Sequence, residues 1–138
     1  MTVAQVRRFA VMLVVLLAVG CGDGSDGDNP VGPNAETPGI TNTTDNFQFH
    51  LPDVSNYSTN GGYTWRNNGT AATVTQNSSF SSGSGTLIIR DAGGRIVYQR
   101  NLNDTGTVTT DSGPTGDWRI EVAPSGVNGT ISFRVQRN

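Results

Sequence analysis

Thr86-Leu87-Ile88-Ile89-Arg90, then Asp91-Ala92-Gly93-Gly94, then Arg95-Ile96-Val97-Tyr98-Gln99, is the stretch that decides the fold. Two runs rich in β-branched and apolar residues flank four turn residues. An aspartate at the start of such a turn accepts hydrogen bonds from the backbone just after it, and glycine takes positive φ at no steric cost. The spacing predicts an antiparallel hairpin closed by a type I turn with a bulge.

Working outward, the same alternation of apolar and polar residues recurs in short runs, the period-2 pattern of half-buried strands. Phe47, Phe49 and Leu51 alternate on a run that Pro52 is expected to end. Tyr63 and Trp65 alternate before an Asn67-Asn68-Gly69 turn, and Ala72 and Val74 lie on a Thr-rich strand. The polar stretch 77–85 reads as a loop from which Phe80 dips toward the core. A weaker strand covers Thr107 to Thr110; Trp118, Ile120 and Val122 alternate on the next, and Ile131, Phe133 and Val135 on the last, after a turn at Asn128-Gly129. Roughly seven or eight short strands separated by turn chemistry predict an all-β, jelly-roll-like antiparallel β-sandwich. Its inward set is Phe47, Phe49, Leu51, Trp65, Val74, Trp118, Ile120, Val122, Ile131, Phe133 and Val135 from those runs, together with Leu87, Ile89, Ile96, Tyr98 and Val108.

Composition agrees. The chain has 138 residues, 34% of them hydrophobic and 14% charged, with 18 glycines and a formal charge of −2. The length suits one domain. The low charge argues against disorder driven by self-repulsion. All nine cationic residues are arginine, and they form no basic patch in a chain of pI near 5.1, which excludes nucleic acid as an expected partner.

The N-terminus carries a separate signal. Arg7 and Arg8 precede an apolar run from Phe9 to Gly20, and the chain's one cysteine, Cys21, follows Leu17-Ala18-Val19-Gly20. A run of about twelve apolar residues is shorter than the roughly 20 a membrane-spanning helix needs, and has the length of a secretory h-region. The small residues before Cys21 resemble the lipobox of bacterial lipoproteins, with Ala18 where that family usually has leucine. The resemblance implies cleavage before Cys21 and lipidation of its thiol, so that the body is anchored to a membrane and faces the periplasm or exterior. A lone cysteine in an exported chain forms no internal disulfide, which suits this use. The expected organisation is a signal peptide over 1–20, the lipidated Cys21 and a Gly/Asp/Pro-rich linker over 21–43, and the sandwich over 44–138.

A second resemblance lies at the other end. Gly116-Asp117-Trp118-Arg119-Ile120-Glu121-Val122 followed by Gly129-Thr130-Ile131-Ser132-Phe133-Arg134-Val135 is similar to the final hairpin of bacterial pre-peptidase C-terminal domains. It also resembles the P domain that accompanies subtilisin-like proteases. The likeness covers roughly residues 84–138 and implies a jelly-roll-like sandwich on an exported protein.

Reactive chemistry is sparse. His50 is the only histidine and sits mid-strand, expected on the solvent face, and there is no Gly-x-Ser-x-Gly elbow. Zinc would need clusters of Cys and His that are missing. The chain is therefore expected to be non-catalytic, a binding or structural module of the cell envelope, with a small hydrolase as the weaker reading. Tyr57, Tyr63 and Trp65 stand close together among Asn and Gly, and if exposed would form a glycan-stacking face. Asp104, Asp111 and Asp117, with Asn101 and Asn103, crowd the turns around the weak strand and would hold Ca²⁺ if enough of their oxygens converged. The partners expected are thus the membrane, through the lipid, and an envelope glycan or protein.

Overall fold

The computed structural model describes residues 37–138; the expected signal peptide and Cys21 lie outside them. Eight strands, all paired antiparallel, make up the domain: β1 (Gly39–Thr43), β2 (Asn46–Tyr57), β3 (Gly61–Asn67), β4 (Ala72–Asn77), β5 (Ser79–Arg90), β6 (Ile96–Asn101), β7 (Thr105–Thr109) and β8 (Gly116–Arg137). The expected β-sandwich is the fold. The order β1-β2-β8-β4-β7 forms one layer, while β3 and β5 flank the earlier half of β8 and β6 extends β5 to form the other. β1 lies within the stretch read from sequence as linker; Ile40 and the threonines beside it supply the β-branched run that pairs with β2.

β8 belongs to both layers. Its 22 residues would span about 70 Å if straight, far beyond a domain of about 100 residues, whose radius of gyration is near 13 Å. It must bend, and it does so around Pro124 to Gly129, where Gly126 and Gly129 have φ of 60° and 139°. Asn128-Gly129 is therefore not a hairpin turn: the runs on either side of it continue one strand instead of folding onto each other. Residues 79–85 are likewise not a loop. They are the first half of β5, laid along the bend of β8 from Ser79↔Thr130 to Gly85↔Pro124 with register shifts around Ser82. Polar composition misled the reading because this ribbon faces solvent on much of its length. Phe80 is half-buried against the core, as its place in the pattern predicts.

The two backbones approach closely here. A Cβ on Gly129 would overlap the Ser79 carbonyl oxygen, and one on Gly83 would overlap that of Gly126. β2 bends in step through bulges beside Val54, with Asp53 and Asn56 at positive φ, so it continues past Pro52 to Tyr57. Pro52 lies beyond the last β1 pair, Gly39↔His50, at a bulge, where a residue without an N–H is tolerated.

The expected hairpin between β5 and β6 forms around Asp91-Ala92-Gly93-Gly94. Asp91 N–H donates to Arg95 O at 2.9 Å, Gly94 N–H donates to Asp91 O at 3.0 Å, and Gly94 has φ 86°. Its bulge places Ile89 opposite Tyr98 but Arg90 opposite Ile96, so Val97 turns inward and Ile96 is exposed. Ile96 is thus a correction to the inward set, and Val108, on an edge strand, is only partly buried. The other residues of that inward set are buried as predicted; Trp65 and Trp118 pack edge to face with centroids 6.0 Å apart.

Gly129→Ala and Gly83→Ala should each destabilise the domain by several kcal/mol, about 2 or more, because backbone would have to move. Gly39→Ala, whose Cβ would meet only an ordinary contact at 3.5 Å, should stay within about 0.5 kcal/mol. Urea unfolding of the three variants checks this.

Candidate functional site

The aromatic trio does not form an exposed face. Trp65 is fully buried and donates its Nε1–H to Thr43 O at 3.1 Å, closing the end of the core. Tyr57 is buried at the end of β2, and burial pushes its hydroxyl pKa up. Tyr63 is half-buried, its ring tilted against Phe47 at 5.4 Å, and burial followed by the nearby Tyr57 raises its pKa. Inward alternation on β3 outweighs the polar neighbours that suggested exposure.

The aspartates do not converge either. Asp117 pairs with Arg66 at 3.5 Å; Asp111 follows β7, its N–H donating to Val97 O; Asp104 sits in the β6–β7 turn, its N–H donating to Asn101 O. Among the described residues, no three of His, Cys, Asp and Glu come together to hold a metal.

The buried carboxylate is Asp91. Its Oδ1 accepts from Gly93 N–H at 2.9 Å and Arg95 N–H at 3.0 Å, and its Oδ2 pairs with Arg95 Nε at 3.4 Å. Burial pushes the carboxyl upward, but these bonds and the Arg95 charge together outweigh it and hold the pKa below its ordinary value. This is turn architecture, and Gly113 packs against the same side chain. Another buried polar group, Gln76, accepts from the Tyr98 hydroxyl and donates to Asn101 O at 3.0 Å, fixing the β6–β7 turn.

What the sandwich does offer is the outward side of the five-stranded layer. Because β2, β4 and β8 bury Phe47, Phe49, Leu51, Ala72, Val74, Gln76, Ile131, Phe133 and Val135, the residues between them point to solvent. The register lines them into rows. Thr41, Gln48, Arg134, Thr75 and Thr107 stand side by side across all five strands. A second row holds Thr43, Asn46, Gln136, Thr73 and Thr109; in a third, His50 lies between Gly39 and Ser132. Hydroxyls and amides dominate, with no Asp or Glu in these rows.

A groove of about 380 Å³ runs over this face, walled by Gln48, His50, Thr75, Asn77, Arg134 and Gln136, with Ser132 between. Below it Phe49 and Phe133 stack with centroids 5.2 Å apart and planes 8° from parallel, a rigid support. Ser78 is buried at the β4–β5 corner, accepts from Ser132 N–H at 3.0 Å and donates to Ser132 O at 3.3 Å, pinning that part of β8. The exposure of His50 agrees with its mid-strand reading; its neighbours across the strands were not named from sequence. Only the cross-strand register could have found them.

The outward side of the other layer differs in kind. Arg66 pairs with Asp117, while Arg90 and Arg119 share Glu121 at 3.5 and 3.1 Å. These arginines each have a carboxylate partner, two of them the same one.

No family model matches the chain, and no curated protein matches it. Among solved structures, the glycosylation-associated protein complex of Streptococcus agalactiae aligns at TM-score 0.36 and 14% identity, over 72% of this chain and 38% of that one. An arabinose-bound α-L-arabinofuranosidase aligns at TM-score 0.34 and 17% identity, over 72% of this chain and 22% of that one. Accessory secretory protein 1, 2 and 3 of Streptococcus pneumoniae aligns at TM-score 0.33 and 8% identity, over 73% of this chain and 85% of that one. This chain spans well under two thirds of the first two chains, and likenesses this distant assign nothing to the groove.

Trp65→Ala should cost about 3–5 kcal/mol by opening a cavity in the core, seen as a lowered unfolding midpoint. Asp91→Asn should cost about 1–3 kcal/mol at neutral pH. The folded pKa of Asp91 is depressed, so its stabilisation is fully present above the ordinary carboxyl value of 3.8 and is lost as pH falls through the lower folded value. Denaturation between pH 7 and about 2 should accordingly show the difference between wild type and Asp91→Asn narrowing only at the acid end.

Proposed function

We propose that this protein is a non-catalytic, lipid-anchored module of the bacterial cell envelope that binds an envelope glycan on the outward face of its five-stranded layer. The observation that carries the reading is that face: cross-strand rows of hydroxyl and amide side chains around a groove of about 380 Å³, within the roughly 300–1,000 Å³ typical of small-ligand sites. Sugars present alternating donors and acceptors, which Thr, Ser, Asn and Gln match in either role.

A protein partner fits less well. Stable protein interfaces are built around an apolar centre, whereas the large exposed hydrophobics among the described residues, Ile40 and Ile96, lie on edge β1 and on the other layer. The non-catalytic part rests on the lone His50, which has no carboxylate beside it in the groove. The anchor rests on Arg7-Arg8, the apolar run and the small residues before Cys21. The glycan face is thus moved from the aromatic trio to the polar rows.

The mature chain should be retarded in gels containing envelope polysaccharide. Replacing both His50 and Asn77 with alanine should weaken retardation about tenfold, the loss of one to two net hydrogen bonds, with the unfolding midpoint unchanged. Retardation unaffected by the double substitution would count against the groove.

A further inference from the structure

Resting on that reading, one residue goes further. Of the seven arginines outside the signal segment, Arg66, Arg90, Arg95, Arg119 and Arg137 each have a carboxylate within 4.0 Å; Arg100 and Arg134 have none among the described residues. Arg100 lies on β6, in the other layer. Arg134 stands at the middle of the groove, in the central row of the five-stranded face. It is not loose there. With the Gln48 amide turned so that its oxygen faces the guanidinium, that oxygen accepts from Arg134 Nε at 3.1 Å and from its terminal NH₂ at 2.6 Å, fixing one edge of the guanidinium plane and leaving its other donors open. A neutral amide brings no charge to offset that of the guanidinium. No acid in the groove offsets it.

We propose that Arg134 receives the carboxylate of an acidic polysaccharide, a polymer of uronic acids, whose ring hydroxyls are met by the Thr, Ser and Asn side chains around it. A planar guanidinium matches a carboxylate with parallel hydrogen bonds, and a charge-assisted pair is roughly twice as strong as the neutral bonds beside it. Overall electrostatics do not draw a polyanion in, since the chain carries −2. Selectivity for acid therefore arises at the contact itself and not from long-range steering.

Gel retardation of the full mature chain on polygalacturonate and alginate, each beside its carboxyl-reduced form, tests this. The acidic forms should bind at least about tenfold more tightly than the reduced ones. Arg134→Gln should erase that preference and leave weak binding to both. Arg134→Lys, which keeps the charge without the fork, should restore only part of it, and Arg100→Gln should behave as wild type. Equal binding of acidic and reduced polymers, or a preference that survives Arg134→Gln, would overturn the carboxylate site while leaving the polar face standing. Retention on none of the four polymers would overturn both.

Discussion

The close approach of two backbones, β5 and β8, is the constraint on which the rest of the structure depends. β8 pairs with β2 and β4 in one layer and with β3 and β5 in the other. For one strand to serve both layers it must turn a corner, and β5 must turn with it. The space between them is set by hydrogen, not methyl, at Gly83 and Gly129. Register then propagates. Once Ile131, Phe133 and Val135 are committed to the core, the residues opposite them on β2 and β4 are committed too, because a slip of one residue would send every side chain to the wrong face.

The same logic makes two outer faces of different character. On the β3-β8-β5-β6 layer, opposite charges answer each other across neighbouring strands. Exposed pairs of this kind contribute only about 0–1 kcal/mol each, so their main effect is to give Arg66, Arg90 and Arg119 a carboxylate close by. On the five-stranded layer nothing answers Arg134 except a neutral amide. The contrast lies within one strand: Arg119 and Arg134 both point outward from β8, fifteen positions apart, and only the first meets a carboxylate.

Much of this was legible in the sequence. Alternation located most strands and most of the core, because period-2 burial is a local property of each strand; Val54, Leu102 and Val127, which are also buried, were not in the inward set. The Asp91-Ala92-Gly93-Gly94 turn was legible for the same reason. What failed depended on partners far along the chain. Asn128-Gly129 has the chemistry of a hairpin turn, but here the glycine answers to the Ser79 carbonyl. Residues 79–85 look like loop because their strand character comes from β8. The Val97 bulge moved Ile96 outward without any change in local pattern. Trp65 and Tyr57 were ambiguous because polar neighbours cannot say which face of a strand is covered. The groove was illegible for the plainest reason: Gln48, Arg134 and Thr75 become neighbours only once β2, β8 and β4 are in register.

A polar groove without an exposed aromatic sets its own limit on affinity. Hydrogen bonds to a sugar replace hydrogen bonds to water, so each returns only about 0.5–1.5 kcal/mol net. A groove holding one or two sugar units in this way binds weakly by itself. On the proposed reading the weakness is offset by arrangement. Copies tethered to one membrane through Cys21 would meet a polymer that repeats the same unit. Each further engagement is then intramolecular, and avidity exceeds any single affinity. Anchor, linker and shallow polar face are consistent with one another on this view: a deep aromatic pocket would be needed by a soluble protein capturing a single sugar, and is not needed by a tethered one gripping a chain.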